Sequence, residues 1–280
     1  MKKIGFIDYY ISEWHANNYP AWIKNACQKL GADYTVAYAF AEKEISPVDN
    51  KSTDDWCKEF GAIKCDTIEE LCEKSDVILI LSPSNPEKHL EYAKVALKYG
   101  KRTYIDKTFA PNIDHARQIF AIAKENNTPF FSSSALRYST ELNGIDNVKS
   151  AIIYGNGGSV NEYIVHQIEM LVKKLGIGAS SVMAQKVGNE SFFFINYLDG
   201  RSGMLNYGAF DFACLLRNND GKIKETIKSN FFGGLIEDII RFYETGETSF
   251  DINETLEVIA IRDAILKAEN QLGEIVKVEK

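Results

Sequence analysis

The chain has 280 residues, of which 45% are hydrophobic and 25% are charged, and its formal net charge is −7. This length predicts two domains with a sizeable core. A surface that binds nucleic acid needs clustered Lys and Arg. This chain has a net negative charge and no block of like charges, so it is not expected to bind nucleic acid. Its five cysteines form no C-x-x-C pair, which indicates reduced thiols in a cytoplasmic protein. No secretory leader or apolar run of transmembrane length is recognisable, so no membrane partner is expected.

The first half of the sequence alternates apolar strands with helices. Predicted strands cover 3–7, 34–40, 62–65, 76–81, 102–105 and 129–131. Predicted helices cover 21–30, 53–60, 86–98 and 112–126, and another begins at Thr67 with a T-x-x-E capping box. The run Val77-Ile78-Leu79-Ile80-Leu81 is apolar without alternation, as in parallel strands that helices cover on both faces. These elements predict an α/β fold with a Rossmann-like, doubly wound parallel sheet.

After Arg137 the order of elements changes. Predicted strands cover 151–154, 181–187, 191–197, 203–207 and 275–278, and predicted helices cover 159–175, 235–245 and 253–270. Asp199-Gly200 is a hairpin turn signal between two of the strands. We therefore predict a nucleotide-binding-type domain over 1–136 and an α+β domain over 137–280 with an open, mainly antiparallel sheet.

Three stretches carry a resemblance to a known family. Ser82-Pro83-Ser84-Asn85-Pro86-Glu87-Lys88-His89 resembles a T-P-N-x-x-H turn, and Tyr104-Ile105-Asp106-Lys107-Thr108 resembles an E-K-P motif. Gly157-Gly158-Ser159-Val160-Asn161-Glu162-Tyr163-Ile164-Val165-His166 resembles G-G-x-x-x-D-x-x-x-H. In order and spacing they resemble the Gfo/Idh/MocA (glucose–fructose oxidoreductase/inositol dehydrogenase) family over nearly the whole chain.

The resemblance implies an oxidoreductase whose catalytic groups meet in a cleft beside a nicotinamide. It implies Lys107 and His166 as general acid/base and substrate-hydroxyl contacts, with Glu162 one helical turn before His166. A solvated lysine and an ordinary helix histidine are the alternatives. Arg137 and Tyr138 correspond to an arginine–aromatic pair that contacts substrate, although a structural salt bridge explains Arg137 equally well. Glu162 and His166 also allow a metal, but no third ligand has supporting spacing.

The turn after the first strand departs from the family. A G-x-G-x-x-G loop is expected there, because glycines let backbone amides approach a pyrophosphate at a helix N-terminus. The chain has Asp8-Tyr9-Tyr10-Ile11-Ser12-Glu13-Trp14-His15 instead, and Gly5 lies inside the strand. Asp8 and Glu13 would repel a diphosphate at the positive end of the helix. A shifted pose could use Ser12, His15 or tyrosine hydroxyls, and the aromatic side chains could stack on a ligand or pack locally.

The resemblance places Asp8, Tyr9, Ser12, Ser82, Pro83, Asn85 and Asp106 against the nucleotide. Glu42 follows the second strand, where an acid binds ribose hydroxyls in relatives that use NAD, so NAD is expected rather than NADP. A solvated loop is the alternative for Glu42.

Two functions follow. One is an NAD(P)-dependent oxidoreductase acting on a hydroxyl of a sugar, polyol or related small metabolite. The other is a non-redox protein of the same fold that has lost dinucleotide binding and binds a small ligand or a partner chain. An open antiparallel sheet also predicts a homodimer or homotetramer.

Overall fold

A computed structural model describes residues 1–208 and 211–279 of the chain. Internal contacts divide it into two compact units: residues 1–132 with 236–249, and residues 133–235 with 250–280. The sequence places a boundary after residue 136 and puts 236–249 in the second domain, so the two divisions differ in that segment. Within the described residues, no helix has both the length and the apolar character needed to cross a membrane.

The first unit contains a six-stranded parallel sheet in the order β3-β2-β1-β4-β5-β6. Its strands are β1 (Lys2–Asp8), β2 (Tyr34–Ala41), β3 (Ile63–Lys64), β4 (Val77–Ile80), β5 (Thr103–Ile105) and β6 (Phe130–Phe131). Its helices are α1 (Trp14–Leu30), α2 (Thr53–Phe60), α3 (Ile68–Lys74), α4 (His89–Ala96) and α5 (Ile113–Glu125), with 3₁₀ turns at Pro86–Lys88 and Leu97–Tyr99. This strand order is that of the Rossmann fold.

The apolar run predicted as a central strand is fully buried in β4. Close packing on β1 requires a glycine, because a Cβ on Gly5 would lie 2.4 Å from Leu71 Cδ2 of α3. Thr67 caps α3 as predicted, since its side chain accepts the backbone N–H of Glu70. All five cysteines are free and buried.

The second unit contains a seven-stranded sheet in the order β12-β11-β7-β10-β9-β8-β13. Its strands are β7 (Ser150–Gly155), β8 (Ala179–Val187), β9 (Glu190–Tyr197), β10 (Ser202–Tyr207), β11 (Ala213–Arg217), β12 (Lys222–Thr226) and β13 (Ile275–Lys277). Only β7 and β10 pair in parallel among these strands. The remaining helices are α6 (Val160–Leu175), α7 (Phe231–Thr245) and α8 (Asn253–Ala268), and 3₁₀ turns occur at Ala135–Tyr138 and Thr140–Gly144.

The predicted fold class is confirmed: a Rossmann-like parallel sheet is followed by a mixed, mostly antiparallel sheet. Two details of the prediction were wrong. Helix α1 begins at Trp14 instead of residue 21 and continues through Pro20, and strands β11 and β12 were not predicted. Alternating residues of the second sheet form a core with α6 and α8, which includes Ile153, Phe193 and Leu205.

Candidate active site

The turn between β1 and α1 is built around the carboxylate of Glu13. Glu13 has an extended backbone and caps α1: its Oε2 accepts the N–H of His15 at 2.8 Å, and its Oε1 accepts the N–H of Ala16. Its side chain is buried, and burial raises its pKa in spite of these bonds. Two backbone N–H groups in the first turn of α1, which have no partner within the helix, are therefore already hydrogen-bonded to the Glu13 side chain.

Asp8 ends β1 as a buried carboxyl group. Its Oδ1 accepts the N–H of Tyr9 at 2.7 Å and the hydroxyl of Ser82 at 3.1 Å. Its Oδ2 has no hydrogen-bond partner among the described residues. Burial raises the pKa of Asp8 well above its ordinary value, and the nearby charge of Glu13 is the second largest cause of this rise. The predicted nucleotide residues Asp8, Tyr9 and Ser82 are therefore in direct contact, and the Tyr9 N–H also donates to Ser82 Oγ at 2.9 Å.

Ser12 and Glu42 are engaged with neighbouring loops. The Ser12 hydroxyl donates to Asp49 Oδ2 at 2.7 Å. Glu42 is exposed and accepts hydrogen bonds from Lys88 Nζ at 2.7 Å and from the Tyr92 hydroxyl at 2.9 Å. Loss of some hydration beside its neighbours would by itself raise the pKa of Glu42, but Lys88 and Tyr92 together lower it.

Lys88 connects Glu42 with the aromatic ring of Tyr9 in the turn after β1. Lys88 Nζ, which bonds Glu42, also lies 5.3 Å from the centre of the Tyr9 ring, and Lys43 Nζ lies 4.9 Å from it. Two ammonium groups thus lie within cation–π distance of this ring and are attracted to it. This arrangement could not be predicted from the sequence, because Lys88 lies far from Tyr9 along the chain.

The turn after β4 is held by a buried histidine. Ser82 has a left-handed backbone with φ of 65°, and Pro83 after it is buried. Asn85 is half-buried and donates to Glu87 through its side-chain amide at 3.0 Å. His89 contacts the carbonyl oxygens of Phe109 and Leu81 through its two ring nitrogens. This histidine therefore connects the turn after β4 with the loop after β5, and burial lowers its pKa.

Asp106 and Lys107 follow β5. Asp106 is fully buried, and its Oδ1 accepts the N–H of Lys107 at 2.8 Å. Its Oδ2 bonds His15 Nδ1 of α1, and the Tyr19 hydroxyl lies 3.2 Å from the same nitrogen. Burial alone would raise the pKa of Asp106, but the positive charge and hydrogen bond of His15 outweigh it and lower the pKa. Lys107 is half-buried, and its peptide bond to Thr108 is cis.

The pairing of His15 with Asp106 was missed by sequence reasoning. The sequence suggested His15 only as a phosphate contact, and it placed Asp106, a residue of the E-K-P-like motif, against the nucleotide. The two residues are 91 positions apart, and they meet because α1 begins beside the carboxyl end of β5. No local pattern reports such a contact.

The predicted residues of the second unit fall into two groups. His166 of α6 is half-buried, and its Nδ1 lies 2.6 Å from the Ser134 hydroxyl. Glu162 occupies the first turn of α6, which Ser159 caps by accepting the Glu162 N–H at 3.3 Å. Lys107 belongs to the first unit and His166 to the second, so their convergence stays a prediction.

Arg137 is held by two carboxylates of its own unit. Its Nε donates to Glu169 Oε2 at 2.8 Å and its Nη2 donates to Glu254 Oε2 at 2.5 Å. Its guanidinium also lies 4.0 Å from the centre of the Phe250 ring. The salt-bridge interpretation of Arg137 accounts for these contacts. Tyr138 is half-buried and packs beside Gly234. A substrate role of either residue stays a prediction.

The described residues do not bring the usual metal-binding side chains together. Within residues 1–208 and 211–279, no group of three or more His, Cys, Asp or Glu side chains is placed to hold a metal ion. Glu162 and His166 thus have no third ligand of these types in the described part of the chain.

Comparison with known proteins supports the resemblance proposed from the motifs. Residues 28–133 match a family model described as "Oxidoreductase family, NAD-binding Rossmann fold", the Gfo/Idh/MocA family. The resemblance to this family is confirmed. A curated relative is the uncharacterized oxidoreductase YhhX of Escherichia coli (strain K12), which is 37% identical over 57 residues. That alignment spans 20% of the chain and 16% of the relative, so it covers only a small part of either protein.

Solved structures resemble the whole chain. GenD2 from gentamicin A biosynthesis, in complex with NAD, has a TM-score of 0.79 at 12% identity. The alignment covers 100% of this chain and 97% of the GenD2 chain. Myo-inositol 2-dehydrogenase from Lactobacillus plantarum has a TM-score of 0.78 at 14% identity, with 99% of both chains covered. At these identities the likeness establishes the fold. NAD, the cofactor expected from the sequence, is also the one named by the family description, so that expectation is confirmed for the family.

The β1–α1 turn does not fit a pyrophosphate as it stands. The amides of His15 and Ala16 are bonded to Glu13, and the amide of Tyr9 is bonded to Asp8 and Ser82. A diphosphate would need these same donors and would meet two carboxyl groups beside them. We therefore assign no role in holding a cofactor to this turn in its present arrangement.

Proposed function

We propose that the protein is an oxidoreductase that acts on a hydroxyl group of a sugar, polyol or related small metabolite, with NAD as its nucleotide. The observation that carries this proposal is the match of residues 28–133 to a family of NAD-binding oxidoreductases. Among the structural relatives, one is a myo-inositol 2-dehydrogenase, which fits a hydroxylated substrate.

Lys107 Nζ is the proposed acceptor of the hydroxyl proton. Oxidation of an alcohol requires a base for this proton, and a lysine at the carboxyl end of a parallel strand lies where such sheets bind ligands. Asp106, whose side chain accepts the Lys107 N–H, fixes the backbone of the segment that carries this lysine. His166, hydrogen-bonded to Ser134, is the proposed second contact to the substrate hydroxyls, and Arg137 and Tyr138 are assigned no chemical step.

The test is a titration with NADH and NADPH, followed by nicotinamide fluorescence, together with turnover of a panel of polyols and sugar derivatives. We expect saturable NADH binding and NAD-dependent turnover. In Lys107→Met, turnover should fall about 10²- to 10⁴-fold with little change in NADH affinity. Lys124→Met is the matched control, since Lys124 is an exposed lysine on α5. Absence of binding to both nucleotides would refute the proposal.

A specific observation favours a second candidate function. Because Glu13 occupies the amides of α1, a non-redox protein of the same fold that binds a small ligand or a partner chain is the alternative. The same titration separates the two, since a non-redox protein would show no saturable change in nicotinamide fluorescence.

We also propose a homodimer through the outer face of the second sheet. Strand register places half-buried apolar side chains in one row across this face: Leu215, Ile152, Met204, Phe194 and Met183. The opposite face packs in the core with α6 and α8. A continuous apolar row in the middle of a sheet is suited to pairing with its own copy about a two-fold axis.

Light scattering coupled to size exclusion tests the dimer. We expect a dimer at micromolar concentration and a monomer for Phe194→Asp. Leu198→Asp is the control, because this substitution introduces the same charge outside the apolar row. Leu198 is 93% exposed in the turn after β9. A monomeric parent protein would contradict the dimer and leave the proposed chemistry unaffected.

A further inference from the structure

The N-terminus of α1 already holds an anion, which is the side chain of Glu13. Two backbone N–H groups of the first turn, those of His15 and Ala16, point at its two oxygens. Glu13 as a residue is 8% exposed, so these bonds form away from bulk water, where charge-assisted hydrogen bonds are strong. The positive end of a helix and its free amides are the donors that a ligand phosphate uses in other proteins. Glu13 therefore stands where a ligand anion would stand.

The rest of the turn reinforces this occupation. The N–H of Tyr9 is bonded to Asp8 and Ser82, and the N–H of Glu13 donates to the carbonyl of Ile11 at 2.9 Å. The unpartnered Oδ2 of Asp8 is buried at the end of β1, and His15 is committed to Asp106. The charged groups around Glu13 are thus Asp8 from β1, His15 from α1 and Asp106 after β5. Three of these four ionisable groups are acids, and His15 is the single base among them.

We propose that Glu13 is an internal competitor for the phosphates of the nucleotide, and that its departure from the first turn of α1 sets nucleotide affinity. The inference rests on the proposed use of NAD. A diphosphate and the Glu13 carboxylate need the same N–H donors, so one excludes the other. A residue without a carboxylate at position 13 leaves these donors available and removes one negative charge from the turn. Such a change should tighten binding of a phosphorylated ligand while leaving the sheet and α1 in place.

Two substitutions separate occupation from charge. Glu13→Gly removes the side chain, and glycine is accepted at a helix N-cap at small cost in stability. Glu13→Gln keeps an oxygen that can accept the same N–H bonds but removes the charge. Glu73→Gln is the control, because Glu73 is an exposed glutamate of α3 in the same unit.

The experiment is a fluorescence titration of each full-length variant with NADH, with inorganic diphosphate as a competing ligand and far-UV circular dichroism to check folding. We expect Glu13→Gly to bind NADH about tenfold more tightly than the parent protein, which equals ~1.4 kcal/mol. Glu13→Gln should fall between them, Glu73→Gln should match the parent, and diphosphate should displace NADH most effectively from Glu13→Gly. Should Glu13→Gly misfold, the tighter binding of Glu13→Gln carries the test.

The outcomes distinguish this inference from the proposed function. If the parent binds NADH and the Glu13 variants bind equally or more weakly, the competitor role is overturned and the oxidoreductase proposal stands. If the parent does not bind and Glu13→Gly does, the competitor role is supported and NAD use by the natural protein is overturned. If no variant binds NADH, both proposals fail.

Discussion

Replacement of Arg137 by alanine should strongly destabilise the second unit. The side chains of Arg137 and Glu169 are 6% and 5% exposed. Arg137 Nε lies 2.8 Å from Glu169 Oε2. Removal of one partner of a buried ion pair costs about 3–5 kcal/mol, because the remaining charge is left desolvated. Glu254, which is 18% exposed, also loses its partner but can be solvated at smaller cost. We therefore expect the free energy of unfolding of this unit to fall by about 3–5 kcal/mol at pH 7.

The loss should also depend on pH. Burial already raises the pKa of Glu169 against the opposing charge of Arg137, so without Arg137 its pKa in the folded state rises further. A carboxyl group whose pKa is higher in the folded state penalises folding above its unfolded pKa, which is about 4.3. The deficit of Arg137→Ala should therefore be largest at neutral pH and shrink as the pH falls toward 4.3.

Urea denaturation measures this effect, because the two units can be followed separately. The three tryptophans, Trp14, Trp22 and Trp56, all lie in the first unit, so their fluorescence reports that unit, whereas far-UV circular dichroism reports both. Arg217→Ala, at an exposed position of β11, is the control and should change stability by no more than about 0.5 kcal/mol. A stability of Arg137→Ala within that margin of the parent would refute the salt-bridge interpretation and favour a substrate role for Arg137.

Three further predictions concern the first unit, and each is measured by tryptophan-detected urea denaturation. Asp8→Asn should stabilise it by about 1–2 kcal/mol at neutral pH, because a raised folded pKa means that ionisation of Asp8 opposes folding above pH ~4; an unchanged pH profile would contradict this. Gly5→Ala should destabilise it by about 1–3 kcal/mol, since the new methyl group overlaps Leu71; equal stability would show that α3 yields freely. Tyr243→Phe should cost about 1–3 kcal/mol, because the buried carbonyl of Ile78 loses a donor at 2.7 Å; a neutral result would mean that water replaces the hydroxyl.

The fold could be read from the sequence where a local pattern reports the environment. The unbroken apolar run of β4 indicates burial on both faces, and the capping residue Thr67 marks the beginning of α3. The beginning of α1 was misplaced because Pro20 normally ends a helix and because the capping residue, Glu13, is not of a typical N-cap type. β11 and β12 are short strands, which carry too few alternating residues to stand out.

The candidate site was less predictable, because its contacts join distant segments. The sequence identified Asp8 and Glu13 as an obstacle to a diphosphate but could not show that the Glu13 carboxylate bonds the amides of α1. The contact between His15 and Asp106 depends on the sheet order, which brings β1 and β5 to either side of β4. Arg137 could be assigned neither to substrate nor to a salt bridge until Glu169 and Glu254 were placed beside it.

The return of residues 236–249 to the first unit affects how that unit is made on the ribosome. Phe242 packs edge-on against Phe131 at a ring distance of 5.0 Å, and the Tyr243 hydroxyl donates to the backbone of β4. A nascent chain that has emerged only as far as residue 132 contains all six strands of the parallel sheet but lacks both contacts, so the sheet stays without this packing while the next hundred or so residues are synthesised. A recombinant fragment of the first unit would for the same reason need residues 236–249, joined by a linker or added as a separate peptide.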